Sequence, residues 1–212
     1  MTTSEHQKDL VVLAADADIE YAIRGILGRH QSLGIRALTF DVFVHAEHDP
    51  GCRTRGATFL VNHAPRYRHG LVVFDHDGCG DDRPRTEVER SVDGELQNHW
   101  QDRARTVVIA PEVENWVWSA SPHVATVLGW EGRDLRAELV RQRLWDDGAT
   151  KPQDPKAAVE FALRSAKKPR SSRHYLEIAA QVSLTRCEDP SFLTLRQHLS
   201  TWFGVADASS TA

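Results

Sequence analysis

The chain has 212 residues, 41% of them hydrophobic, and a formal net charge of -4. That length suits one α/β unit with an appended piece and supplies enough apolar residues for a real core; the negative balance excludes a generic basic coat for nucleic acid while leaving local phosphate binding open. Cys52, Cys79 and Cys187 are too few, and odd in number, for a disulfide scaffold, no apolar stretch is long enough for a membrane span, and the polar start has no signal-peptide core, so the expectation is a cytoplasmic protein without a membrane partner.

Leu10 to Ala15 is apolar throughout and reads as a central strand. The turn after it carries three acids, Asp16, Asp18 and Glu20, and a helix follows to about Gly28 with Ala22, Ile23, Ile26 and Leu27 on its inner face. Asp18 is the predicted N-cap. The acids either serve the helix start alone, or one of them reaches a metal at the neighbouring strand end. Ile35 to His45 is the second predicted strand, less buried than the first. In the segment after it His45, His48, Asp49 and Cys52 have the donor types of a zinc site but no motif spacing, and Pro50-Gly51 reads as a turn at the rim. A helix is expected over Arg53 to Ala64, and Arg66, Arg68 and His69 then make a cationic approach to the next strand.

That strand is Leu71 to Phe74, a short β-branched run of the kind buried inside a parallel sheet. Asp75 and Asp77 stand where it ends. On extended backbone residues two apart point the same way, so the pair can share one hard cation, beyond the carboxyl end of the strand where open α/β sheets bind ligands. The alternative is a polar turn, in which Gly78 and Gly80 allow the tight exit. Arg83 to Trp100 is the third helix, with Val88, Val92, Leu96 and Trp100 at four-residue spacing. Arg105 to Ala110 is the fourth strand, and it too delivers acids, Glu112 and Glu114, at its carboxyl end.

Beyond Trp118 the pattern becomes helical. Short helices are predicted after Ser121 and over 134–144, 156–168, 174–182 and 190–203, then a loose polar tail. The compact basic run contains Lys167, Lys168, Arg170 and Arg173, split by Pro169 so that the charges fan out from a loop. The expectation is that this loop folds back beside the carboxylates and, with Arg66 and Arg68, contacts a nucleic-acid backbone. The division is therefore 8–118 for the α/β part, 119–204 for a helical region packed on it and 205–212 for a flexible tail.

The acidic turn after the first strand, followed by Val72-Val73-Phe74-Asp75-His76-Asp77-Gly78, resembles the topoisomerase–primase (TOPRIM) fold. The segment Ile109-Ala110-Pro111-Glu112-Val113-Glu114-Asn115-Trp116 resembles a related bacterial branch associated with methylation-linked phage defence. The resemblance implies a TOPRIM-like parallel sheet flanked by helices, Mg²⁺ or Mn²⁺ held by Asp75 and Asp77, and catalysis by Asp16, Glu112 and Glu114. It implies nuclease-type phosphoryl transfer on nucleic acid, DNA more than RNA, beside other proteins of a phage-defence locus. The family's first-strand Glu-Gly is replaced here by Ala15-Asp16. That departure supports a second function, a catalytically decayed component that holds partners or senses nucleic acid.

Overall fold

The computed structural model describes residues 6–205. Four parallel strands, β1 (Lys8–Ala14), β2 (Phe40–Val44), β3 (Tyr67–Asp75) and β4 (Ala104–Ile109), form one sheet in the order β2-β1-β3-β4. The two inner strands are the two most apolar runs: Leu10 to Ala14 and Leu71 to Phe74 are all fully buried. Parallel strands need crossovers, and helices supply them: α1 (Ala17–Leu27), then α3 (His48–Val61) after the short α2 (His30–Leu33), then α4 (Arg85–Trp100). In α4 Val88, Val92, Leu96 and Trp100 are all buried, as their spacing predicts. One of its acids also serves the sheet. Glu89 accepts the N–H of Val108 at 3.0 Å, so α4 covers part of the outer edge of β4.

The helical extension comprises α5 (Glu114–Val117), α6 (Pro122–Val127), α7 (Leu135–Arg141), α8 (Pro155–Ser165), α9 (Arg173–Gln181) and α10 (Pro190–Phe203). It packs back on the sheet layer: α9 lies against α1, and α10 reaches β4 and α2. The α1–α9 approach depends on Gly25, where a Cβ atom would stand 2.8 Å from the Ala179 Cβ and 2.9 Å from the Leu176 carbonyl oxygen. Among the described residues no helix is long and apolar enough to cross a membrane. Of the tail assigned to 205–212, residues 206–212 lie outside the described residues.

Three local expectations are corrected. The strand predicted from Ile35 begins only at Phe40; Ile35 instead makes an antiparallel bridge with Gly204, which takes its backbone away from the sheet. The segment read as a turn at Pro50-Gly51 is the first turn of α3, which starts at His48; proline is tolerated there because a first-turn N–H has no helical partner. The N-cap of α1 is Asp16, whose extended backbone and carboxylate, accepting the Ile19 N–H at 2.9 Å, fit that role, while Asp18 lies one position inside the helix.

Candidate metal centre at the carboxyl edge of the sheet

The strand order sets the place. From β1 the chain steps to β2 on one side, and from β3 it steps to β4 on the other, so the order reverses between β1 and β3. The loops after these strands diverge there and leave a crevice at their carboxyl ends. Asp16 follows β1, and Asp75 is the last residue of β3.

Asp75 is 8% exposed. Its N–H donates to Asp49 Oδ1 at 2.8 Å, from the first turn of α3, but its own Oδ1 is buried without a hydrogen-bond partner. Burial, then the charges of Asp49, Asp16, Glu114 and Glu112, push its carboxyl well above the usual carboxylate range. Glu112, in the link after β4, and Glu114, at the start of α5, complete the group: each of the three carboxyls offers an oxygen, and these oxygens lie within 4.8 Å of one another. This is a cluster of largely buried acids compatible with a divalent-cation site. Oxygen donors of this kind suit hard cations, and Asp75 adds to them a buried oxygen without a hydrogen-bond partner.

The two glutamates are held by cations from the extension. Lys156 Nζ, in the first turn of α8, is 2.9 Å from Glu112 Oε2. Arg170, between α8 and α9, places Nη2 3.0 Å from Glu114 Oε1 and 3.0 Å from Asp18 Oδ2, and Nη1 3.0 Å from Glu160. Tyr175 of α9 donates its hydroxyl to Glu114 Oε1 at 2.6 Å. Burial raises the Glu114 carboxyl, and the Tyr175 hydrogen bond opposes that rise. Glu112 in turn raises the Lys156 ammonium.

The remaining expected residues fall in several places. Asp77 is outside the three-carboxylate group and its side chain is 66% exposed. The strand stops at Asp75, and Asp77 falls in the turn closed by the Cys79 N–H to the His76 carbonyl, with Gly78 at positive φ. The group of three that the fold assembles is Asp75 with Glu112 and Glu114. Asp16 sits close enough to raise Asp75, with one oxygen committed to the α1 cap. Ala15, which precedes Asp16, is fully buried.

Of the six basic residues expected at the site, Arg170 is the one whose described contacts include the acidic edge. Lys168 Nζ donates to the Val127 carbonyl, Arg173 pairs with Glu177 on α9, and Lys167 is exposed at the end of α8. Arg66 and Arg68 are displaced from the expected place. They lie at the amino end of β3, the opposite end from Asp75 and on the order of 25 Å away at the rise of an extended strand. The zinc-type residues are also dispersed. His45 Nδ1 accepts the Glu47 N–H, His48 Nδ1 faces the Ala15 carbonyl, Cys52 is fully buried with its thiol pushed up by that burial, and Asp49 serves Asp75. Among the described residues the three carboxylates are the one group with metal-ligand spacing.

Sequence reasoning passed over Lys156, Tyr175 and the Asp49–Asp75 bond. Lys156 had a readable signal, because a cation in a helix's first turn opposes the helix dipole and needs another reason to be there. Comparison with protein-family models, with curated proteins and with solved structures finds no match. What stands is an α/β fold with a parallel sheet flanked by helices, a helical extension, and an acidic cluster at the switch point.

Proposed function

We propose that the chain is a Mg²⁺- or Mn²⁺-dependent phosphoryl-transfer enzyme, a nuclease of bacterial anti-phage defence, acting on DNA before RNA and beside other proteins of its locus. The observation that carries the reading is the buried Asp75 carboxyl, which has an unpartnered oxygen and lies in one group with Glu112 and Glu114. Asp75, Glu112 and Glu114 are the residues that would hold the cation, which when bound supplies positive charge to a phosphoryl group. Asp49 fixes the Asp75 backbone, and Tyr175 aims Glu114. The resemblance of 72–78 to the topoisomerase–primase pattern supports the choice of phosphate chemistry, and that of 109–116 to the related bacterial branch supports the defence setting. Calorimetric titration with Mg²⁺ and Mn²⁺, followed by incubation of the loaded protein with DNA and RNA, tests it. Binding at millimolar cation with cleavage of DNA is expected; an intact fold that binds neither cation refutes it.

A second reading has its own observation. Ala15 is sealed at the family's glutamate position, and Lys156 and Arg170 already occupy the glutamates. Both favour a non-catalytic component that binds partners or senses nucleic acid. Recovery of stable partners from cells carrying the locus, by a protein that binds cation without cleaving, selects this reading over the first.

A further inference from the structure

The geometry points to Lys156 and Arg170 as an anion-binding pair: they are the resident counter-ions of Glu112 and Glu114, and they turn to a phosphate group once a divalent cation takes those carboxylates. This rests on the cation reading above and adds to it the residues that receive the anion.

The two ion pairs are asymmetric in exposure. The Glu112 and Glu114 side chains are 13% and 2% exposed, whereas those of Lys156 and Arg170 are 47% and 42% exposed. The acids are therefore fixed in the wall while the cations form its open rim. Each cation binds a carboxylate of the cluster: Lys156 takes Glu112 Oε2, and Arg170 takes the Glu114 oxygen that Tyr175 also bonds. A divalent cation accepting those oxygens removes the charge that holds Lys156 and Arg170 inward. It does not release them equally. Arg170 stays anchored by Glu160 and Asp18, so its guanidinium remains aimed at the edge of the site. Lys156 has one acidic partner and a flexible stem, so it is free to swing. A planar, pre-aimed guanidinium and a mobile ammonium next to a bound cation are the donors a phosphate group takes. The other cations of the basic run are excluded by their own contacts or by distance from the cluster.

If the pairs are permanent struts instead, removing either cation leaves the anion response unchanged. The test uses the full chain and calorimetry at fixed ionic strength. Mg²⁺ is titrated into the metal-free protein, then inorganic phosphate into the protein with and without saturating Mg²⁺, for the unaltered chain, Lys156→Gln and Arg170→Gln. The unaltered chain is expected to bind phosphate only when Mg²⁺ is present. In Lys156→Gln, Mg²⁺ affinity is expected to rise by about two- to fivefold, the worth of an exposed ion pair that no longer competes. Phosphate affinity is expected to fall at least about tenfold, the worth of one hydrogen bond to a charged group. Opposite signs for the two ligands are the signature, since a merely structural lysine moves them together or not at all. Mg²⁺ binding without Mg²⁺-dependent phosphate binding overturns this inference and leaves the cation site standing, as does unchanged phosphate affinity in both variants. Absence of Mg²⁺ binding overturns both. Should Arg170→Gln fail to fold, Lys156→Gln, altered at an exposed helix start, decides alone.

Discussion

Asp75→Asn separates what a cation contributes at the end of β3 from what the fold contributes. In the metal-free protein Asp75 is a buried carboxyl with an unpartnered oxygen, in one group with Glu112 and Glu114. The amide keeps the shape and carries no charge, so it relieves the burial and the repulsion from Asp49, Asp16, Glu114 and Glu112 that the carboxylate meets. A gain of about 1–2 kcal/mol is expected, the worth of roughly one pKa unit of relieved interaction. For a chain of this size that raises the melting temperature by about 2–4 °C per kcal/mol. The pH dependence follows from the direction of the shift. The folded carboxyl titrates above its ordinary value of 3.8, so the unfolded chain sheds its proton first, and the native protein loses stability as pH rises through that window. The advantage of Asp75→Asn therefore grows from about pH 4 upward. Added Mg²⁺ reverses the ranking. At about a hundred times its dissociation constant a ligand stabilises by about 2.7 kcal/mol, and the variant, short of one anionic ligand, gains little of that. Thermal melts followed by circular dichroism, with and without Mg²⁺ at matched ionic strength, read both effects. A variant that melts below the unaltered chain without cation, or that keeps the Mg²⁺-dependent rise, refutes the placement of Asp75 in a metal site.

Gly25→Ala and Gly94→Ala are the same change with opposite expected signs: the first drives a Cβ into α9 and costs about 1–3 kcal/mol, while the second, exposed on α4 with nothing within 4 Å, gains about 1 kcal/mol of helix propensity. Urea denaturation checks both, and a Gly25→Ala protein as stable as Gly94→Ala removes the close α1–α9 contact from the account. His69 and His198 both stack on Trp202, and burial lowers each to about 4, with Arg68 and His6 adding at His69, where a hydrogen bond involving Arg103 opposes the shift, and Arg105 adding at His198. Their stabilising contribution is fully present above the ordinary 6.5 and is lost as pH falls towards 4; since both rings are partly exposed, about 1–2 kcal/mol in total is expected, and His69→Phe should flatten that part of a stability–pH curve. Glu114→Ala strands the Tyr175 hydroxyl and weakens the Arg170 anchor, so a loss of about 2–4 kcal/mol is expected, whereas Glu114→Gln keeps an acceptor for Tyr175 and loses less; equal losses in the two variants would assign the effect to volume alone.

The inner strands were legible because burial on both faces leaves an unbroken apolar run, and α4 because its four-residue spacing admits one inner face. The start of α3 was misread because Pro50-Gly51 has the same local chemistry at a turn and at a helix's first turn; only the packing of α3 on β1 and β3 decides between them. Asp75, Glu112 and Glu114 were all identifiable as acids at strand ends. Their grouping was not, because it depends on β3 and β4 lying side by side, which brings the end of one strand to the link after the other. Arg170 was singled out with three neighbours of equal charge, and nothing local distinguishes it from them. Its selection comes from Asp18, Glu114 and Glu160, which are 152, 56 and 10 residues away in sequence. For the same reason Arg66 and Arg68 were misplaced: adjacency in sequence to the central strand is adjacency to its wrong end.

The charge balance of the site is divided between the two parts of the chain. The sheet and its crossovers contribute Asp16 and Asp49, which accept backbone N–H groups, and Asp75, which has an unpartnered oxygen; Asp16 raises Asp49, and both raise Asp75. The side-chain cations that meet Glu112 and Glu114 come from α8 and the loop after it, and the Tyr175 hydroxyl comes from α9. The extension is thus the electrostatic complement of the acidic edge as well as its apolar cover. Half-exposed pairs such as these weaken as salt is added, while the apolar α1–α9 contact does not. High salt should therefore loosen the rim at Lys156 before it disturbs the packing at Gly25, and a divalent cation should do the same at far lower concentration by taking the carboxylates directly. Hydrogen exchange at the α8 amides, compared under NaCl and under Mg²⁺ at equal ionic strength, separates screening from specific occupancy. Faster exchange there with Mg²⁺ alone supports competition for the glutamates, and identical exchange in the two salts removes it.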